Sequence, residues 1–185
     1  EDGNKLKIIL KSERVLFVDF AIASIGVKPE INLAKQAELK TGEKGIIVNE
    51  YLQTSDEDIY AIGDAIEVIN PILNIPVYIP LAGPANKQGR IVANNIINAN
   101  KQKYYGTIGT GILKIFDITV ASTGLNSMQL KKNKINFEQA IVHANNHAGY
   151  YPGAVRNSLK LLFSPTNGKI YGFQSVEFSG IDKRT

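Results

Sequence analysis

Residues 54–64 read Thr-Ser-Asp-Glu-Asp-Ile-Tyr-Ala-Ile-Gly-Asp. Thr54 to Asp58 is a turn-forming run, because its short side-chain oxygens accept bonds from nearby backbone N–H groups. The segment behind it predicts a strand that delivers Gly63 and then Asp64 at its carboxyl end. In open α/β sheets that is where ligands bind. A glycine lets a ligand approach the backbone closely, and an aspartate accepts hydrogen bonds from sugar-type hydroxyls. Alone, Gly-Asp is an ordinary turn, so its neighbours in sequence decide what it means.

The decisive neighbour follows after a loop, Asn70–Pro80, that carries three prolines. It is Leu81-Ala-Gly-Pro-Ala-Asn-Lys-Gln-Gly-Arg90. A helix is expected over 84–99, with Pro84 in its first turn, where a backbone N–H would be unpaired anyway. Ala85, Ile91, Val92, Ile96 and Ile97 supply its apolar stripe. The free N–H groups of such a terminus stabilise an anion or a developing negative charge. A strand ending in Gly-Asp, a loop, and a helix opening on Gly-Pro together form a candidate ligand site.

Upstream, Leu6–Leu10 reads as a short strand. Val15–Ile25 (VLFVDFAIASI) is almost continuously apolar and branched, the pattern of a strand covered on both faces of a parallel sheet. Pro29 ends it. Residues 31–39 predict a short helix and 45–49 a short strand. Beyond the linker Asn100–Gly106 the pattern changes. Strands are expected at 112–116, 118–122 and near 136–143, 157–163 and 169–177, with a helix after the N-cap residue Asn126. Residues 1–100 therefore read as α/β, and 107–185 as α+β with an antiparallel sheet.

The chain has 185 residues, 44% hydrophobic and 21% charged, which excludes wholesale disorder. It holds no cysteine, so it carries no disulfide, cysteine zinc site or thiol nucleophile. Its net charge of +4 comes from scattered lysines and is no nucleic-acid footprint. No apolar run is long enough to span a bilayer. No secretory signal is visible near Glu1, and the chain is expected to be a piece of a longer protein. Three weaker motifs read as ordinary structure. Gly106-Thr-Ile-Gly-Thr-Gly111 has the spacing of a phosphate loop, but Ile112 stands where lysine is required. His143 and His147 lie four apart in a segment unsuited to a helix, and read as loop histidines. Ile22 occupies the position where a nucleophile elbow needs glycine.

The ordered segments resemble the C-terminal part of flavin-dependent pyridine-nucleotide disulfide oxidoreductases, in particular the coenzyme A disulfide reductase, NADH oxidase and NADH peroxidase group. Val18–Pro29 (VDFAIASIGVKP) is similar to the strand that closes the NAD(P)H domain and returns to the FAD domain. Thr54–Asp64 is similar to the second FAD motif, and Pro80–Arg90 to the helix that addresses the flavin ring. Lys114–Gly124 and Gly180–Arg184 resemble the dimerisation domain. Ala148-Gly-Tyr-Tyr-Pro-Gly-Ala154 points to the coenzyme A disulfide reductase branch.

The resemblance implies that residues 1–29 end a nicotinamide domain, 30–105 form the second segment of an FAD domain, and 106–185 form an incomplete dimerisation domain. It implies FAD and NAD(P)H as cofactors of the whole protein, a cytoplasmic homodimer, and a sulfur substrate such as coenzyme A disulfide or a persulfide. Neither nucleic acid nor membrane is an expected partner. Asp64 would bind the FAD ribitol, with Gly63 giving access, and the amides around Leu81, Ala82 and Gly83 would face the flavin pyrimidine edge. Tyr150 or Tyr151, or both, would reach the partner's redox cysteine. The redox cysteine and both GxGxxG loops are absent from this sequence, so the isolated chain is expected to be inactive. The alternatives are an NADH oxidase or peroxidase of the same architecture, and a non-catalytic dimerisation module.

Overall fold

The computed structural model describes residues 5–178. The first part is made of short elements. Strands β1 (Leu6–Ile9) and β2 (Val15–Val18) form an antiparallel hairpin, Leu6 opposite Val18. The long covered strand expected over Val15–Ile25 stops at Val18. Phe20 and Ile25 are 72% and 92% exposed. A strand needs a neighbour's backbone to pair with, and among the described residues none lies beside 19–25.

Helix α1 (Asn32–Gln36) is shorter than expected. It closes with Glu38 at φ 57° and the Leu39 N–H bonded to the Ala34 carbonyl at 2.9 Å, which satisfies a carbonyl of the last turn. Residues 45–49 form no strand. Only Ile46 pairs, with Thr41 on one side and, in parallel, with Ile66 on the other. Thr54–Asp64 likewise folds as turns with a single Gln53–Tyr60 bridge. The Thr54 hydroxyl accepts from the Asp56 N–H at 3.1 Å, and the Asp56 carboxylate from the Asp58 N–H at 2.9 Å. These local bonds compete with ladder formation. Strands β3 (Val68–Asn70) and β4 (Ile75–Val77) then form a hairpin inside the segment expected to be loop.

Helix α2 (Ala82–Asn98) begins two residues earlier than expected, at an extended Leu81, and ends on a left-handed Ala99. Its buried face differs from the apolar stripe read from sequence. Gln88, Ile91 and Asn95 are buried, whereas Ile96 and Ile97 are exposed. Ile91 packs with Ala34, Ile46, Leu52, Ile66, Val68 and Tyr104 in the first core. Asn95 ties the helix to its surroundings. Its amide donates to the carbonyls of Tyr51 and Gln102 at 3.1 and 2.8 Å, and its oxygen accepts from the Gln102 N–H at 2.8 Å.

Beyond the linker the structure is regular. Strands β5 (Thr110–Ile115), β6 (Ile118–Gly124), β7 (Glu138–Asn145), β8 (Arg156–Phe163) and β9 (Ile170–Glu177) form one antiparallel sheet in the order β5-β6-β9-β8-β7. Helix α3 (Ser127–Lys132) covers one face. Asn126 caps it in a reciprocal capping box with Gln129. Leu125, Leu130 and Leu162 form the second core, against which Ile72 and Leu73 of the β3–β4 turn also pack. The expected order, an α/β segment followed by an antiparallel α+β unit, is the observed one. Of Gly106–Gly111, residues 106–109 form a connection and Thr110 and Gly111 open β5. A Cβ at Gly106 would collide with the Ile69 carbonyl, and its φ is +82°. The Gly180–Arg184 segment lies outside the described residues.

Candidate functional site

Gly63, Asp64 and Ala65 form a single 3-10 turn. Gly63 has φ +69°, a conformation that L side chains rarely adopt, so glycine is required for the backbone path. Two anchors fix the turn. On one side the Gly63 N–H donates to the side-chain oxygen of Gln88 on α2 at 2.7 Å. On the other, the Ala65 carbonyl accepts from the Ile46 N–H at 2.8 Å, and the Glu67 N–H reaches the Ile46 carbonyl at 3.1 Å. Asp64, between them, is exposed.

The same anchoring brings the turn against the start of α2. A Cβ built at Gly63 would lie 3.6 Å from the Ala85 methyl. Leu81 offers the helix no side-chain cap, and its own N–H is bonded to the Ile79 carbonyl at 3.0 Å. The first bond back into the helix runs from the Ala85 N–H to the Leu81 carbonyl at 3.2 Å. Pro84 has no N–H, so Ala82 and Gly83 supply the free donors of this terminus. The position of a Gly83 side chain is open space. The turn that carries Asp64 thus lies against the start of a helix whose tip has no side-chain cap. That donor and acceptor set suits a ligand carrying both hydroxyls and an electron-rich polar edge. Five sequence-expected residues, Gly63, Asp64, Leu81, Ala82 and Gly83, are brought together here, with Leu81 setting the helix start instead of donating.

The linker braces the same face of α2 further along, where Gln102 bonds Asn95 through its N–H and its carbonyl. Lys103 pairs with Glu50 at 2.6 Å and sits 5.6 Å from the Tyr51 ring centre. Its pKa is raised, chiefly by the hydrogen bond to Glu50. Tyr104 is buried in the first core. Burial pushes its phenol pKa up, and the neighbouring Gln88 side chain opposes that shift.

Tyr150 and Tyr151 stand elsewhere, on the loop joining β7 to β8, and are 91% and 67% exposed. Tyr151 meets His147 edge-on, with ring centres 6.2 Å apart. His143, expected in a loop, lies in β7 with its Nδ1 2.9 Å from the Ser158 hydroxyl. Among the described residues no cluster of three or more metal-binding side chains occurs, and no helix is long and apolar enough to cross a membrane. Sequence reasoning missed Gln88 and Asn95. Their signal was spacing, since residues 88, 91 and 95 share one helix face with buried Ile91.

The family profile described as "Pyridine nucleotide-disulphide oxidoreductase" matches residues 1–89, and its dimerisation domain matches residues 111–179. The chain belongs to the pyridine nucleotide-disulphide oxidoreductase family. A reduced Bacillus anthracis CoADR-RHD crystal structure superimposes with a TM-score of 0.91 at 49% identity, over 100% of this chain and 33% of that one. An NAD(P)H sulfur oxidoreductase (CoA-dependent) of Pyrococcus furiosus is 38% identical over 85% of this chain and 36% of its own length. Coenzyme A disulfide reductase of Staphylococcus aureus is 33% identical over 99% of this chain and 41% of its own. The chain therefore spans about a third to about two fifths of the length of these relatives.

Proposed function

We propose that this chain supplies the second part of an FAD site and a dimer interface to an NAD(P)H-dependent sulfur oxidoreductase of the coenzyme A disulfide or persulfide type. The observation that carries the reading is the 2.7 Å bond from Gly63 to Gln88, which sets an acidic turn beside an uncapped helix tip. In this reading residues 1–29 complete a nicotinamide domain, 30–105 belong to the FAD domain and 106–185 to the dimerisation domain. The two matched profile segments, 1–89 and 111–179, support a division near the linker. The whole protein would be a cytoplasmic homodimer.

FAD held by these residues would supply hydride and electron transfer between NAD(P)H and a cysteine–sulfur centre in polypeptide other than this chain. Asp64 accepts hydrogen bonds from the ribitol hydroxyls. The Ala82 and Gly83 amides donate to the pyrimidine edge, where the roughly half positive charge of a helix N-terminus favours negative charge. Tyr150 or Tyr151 donates a proton or hydrogen bond to the sulfur from across the dimer. A phenol O–H is a hydrogen-bond donor and can do so. The exposure of both rings leaves them available to a partner.

The test of the flavin role compares two acidic residues of the same segment in the flavoprotein that carries this chain. Asp64→Ala should lose FAD on dilution or gel filtration, whereas Asp58→Ala, in the preceding turn, should retain it. Equal flavin content in the two variants contradicts the assignment. Tyr150→Phe and Tyr151→Phe should slow disulfide turnover and leave flavin reduction by NADH intact. Undiminished turnover in both removes the tyrosines from the chemistry. NADH oxidases occur among the relatives, so comparing coenzyme A disulfide with oxygen as the electron acceptor separates the two readings.

A further inference from the structure

We infer that Gln88 is a positioning residue of the flavin site, holding the Gly63–Asp64 turn in register with the tip of α2; the inference rests on the flavin reading above. Gln88 is 2% exposed. A buried amide is costly unless its polar atoms are bonded. Its oxygen is bonded to the N–H of Gly63, 25 residues away in sequence, at 2.7 Å. That N–H belongs to the first residue of a turn held at its other end by the Ile46 bonds. With both ends fixed, the backbone of Asp64 is held beside the start of α2. With the Gln88 bond removed, the Gly63 N–H loses its acceptor, and a glycine with access to many backbone conformations lets the turn swing.

Asn95 provides the internal comparison. It is an equally buried amide on the same face of α2, 1% exposed. Its three bonds go to Tyr51 and Gln102, none of them a residue of the proposed site. If burial of an amide on this face served stability alone, the two positions would behave alike. If Gln88 positions the ligand turn, they separate.

The experiment uses the flavoprotein that carries this chain. FAD dissociation constants and melting temperatures of the apoprotein are measured for Gln88→Met, Gln88→Asn, Gln88→Glu, Asn95→Leu and Asp64→Ala. Gln88→Met keeps the length without an acceptor for the Gly63 N–H, and Gln88→Asn draws the acceptor back by one methylene. Each should weaken FAD about tenfold, the scale of one buried hydrogen-bond partner lost. Gln88→Glu, which keeps the oxygen in reach, should return affinity to within about threefold of the parent, inside that same scale. Asn95→Leu should lower the melting temperature with FAD affinity unchanged. Parent-like affinity in both Gln88→Met and Gln88→Asn, with Asp64→Ala impaired, overturns this inference alone. So does loss of FAD in Asn95→Leu in proportion to its loss of stability. Should Gln88→Met fail to fold, Gln88→Asn carries the same decision. Parent-like affinity in Asp64→Ala overturns the flavin reading and this inference with it.

Discussion

The two halves of the molecule solve the same problem with different success. From Thr110 to Glu177 five strands satisfy one another in a continuous antiparallel ladder, β5 to β7, with a capped helix over a leucine core. From Leu6 to Val77 the backbone forms two hairpins, one short helix and isolated bridges. Yet the first half is no less apolar. Phe17, Phe20, Ile22, Ile25 and Val27 lie exposed in succession. The difference is where the hydrogen-bonding partners are. In the antiparallel sheet three of the four pairings join consecutive strands, and the fourth, β6 with β9, still closes within the same domain. A parallel sheet takes them from distant segments, and these residues have only the partners present in this chain.

That comparison can be broken by mutation. The largest expected effect is in the second core. Leu162→Ala, at a fully buried position shared with Leu125 and Leu130, should destabilise this chain by about 2–5 kcal/mol in urea denaturation. Phe20→Ser, in the exposed stretch, should change it by less than about 0.5 kcal/mol. A comparable cost at Phe20 would mean that the first half has a core of its own around that residue. A smaller effect sharpens the contrast. Asn126→Ala removes the capping box of α3 and should cost about 1 kcal/mol. Because α3 covers the second core, the loss should appear in the same transition as that of Leu162→Ala.

The legible parts of the molecule follow the same division. Strands β5 to β9 and the Asn126 cap fall close to where alternation and cap chemistry put them, because those signals are local, although β6 finds its partner β9 across α3, β7 and β8. The run Val15–Ile25 carries the pattern of a doubly covered strand, but pattern records what a segment can bury, and pairing depends on what stands beside it. Thr54–Ile62 lost its strand to side-chain bonds at Thr54 and Asp56. At the candidate site, Gly63, Asp64 and the opening of α2 were readable as motifs. Gln88 and Asn95 were not, since an apolar stripe was sought and buried amides do not register in it. Their bonds to Gly63 and Gln102 exist only once the chain is folded.

Asp64 and the tip of α2 are proposed to contact one flavin. The most direct measurement is a crystal structure of the FAD-bound protein that carries this chain. The Asp64 carboxylate should lie about 3 Å from a ribitol hydroxyl, and the Ala82 and Gly83 amides at hydrogen-bonding distance from the pyrimidine edge of the same molecule. A flavin bound with Asp64 facing solvent, or with another group seated on the helix tip, would contradict the account.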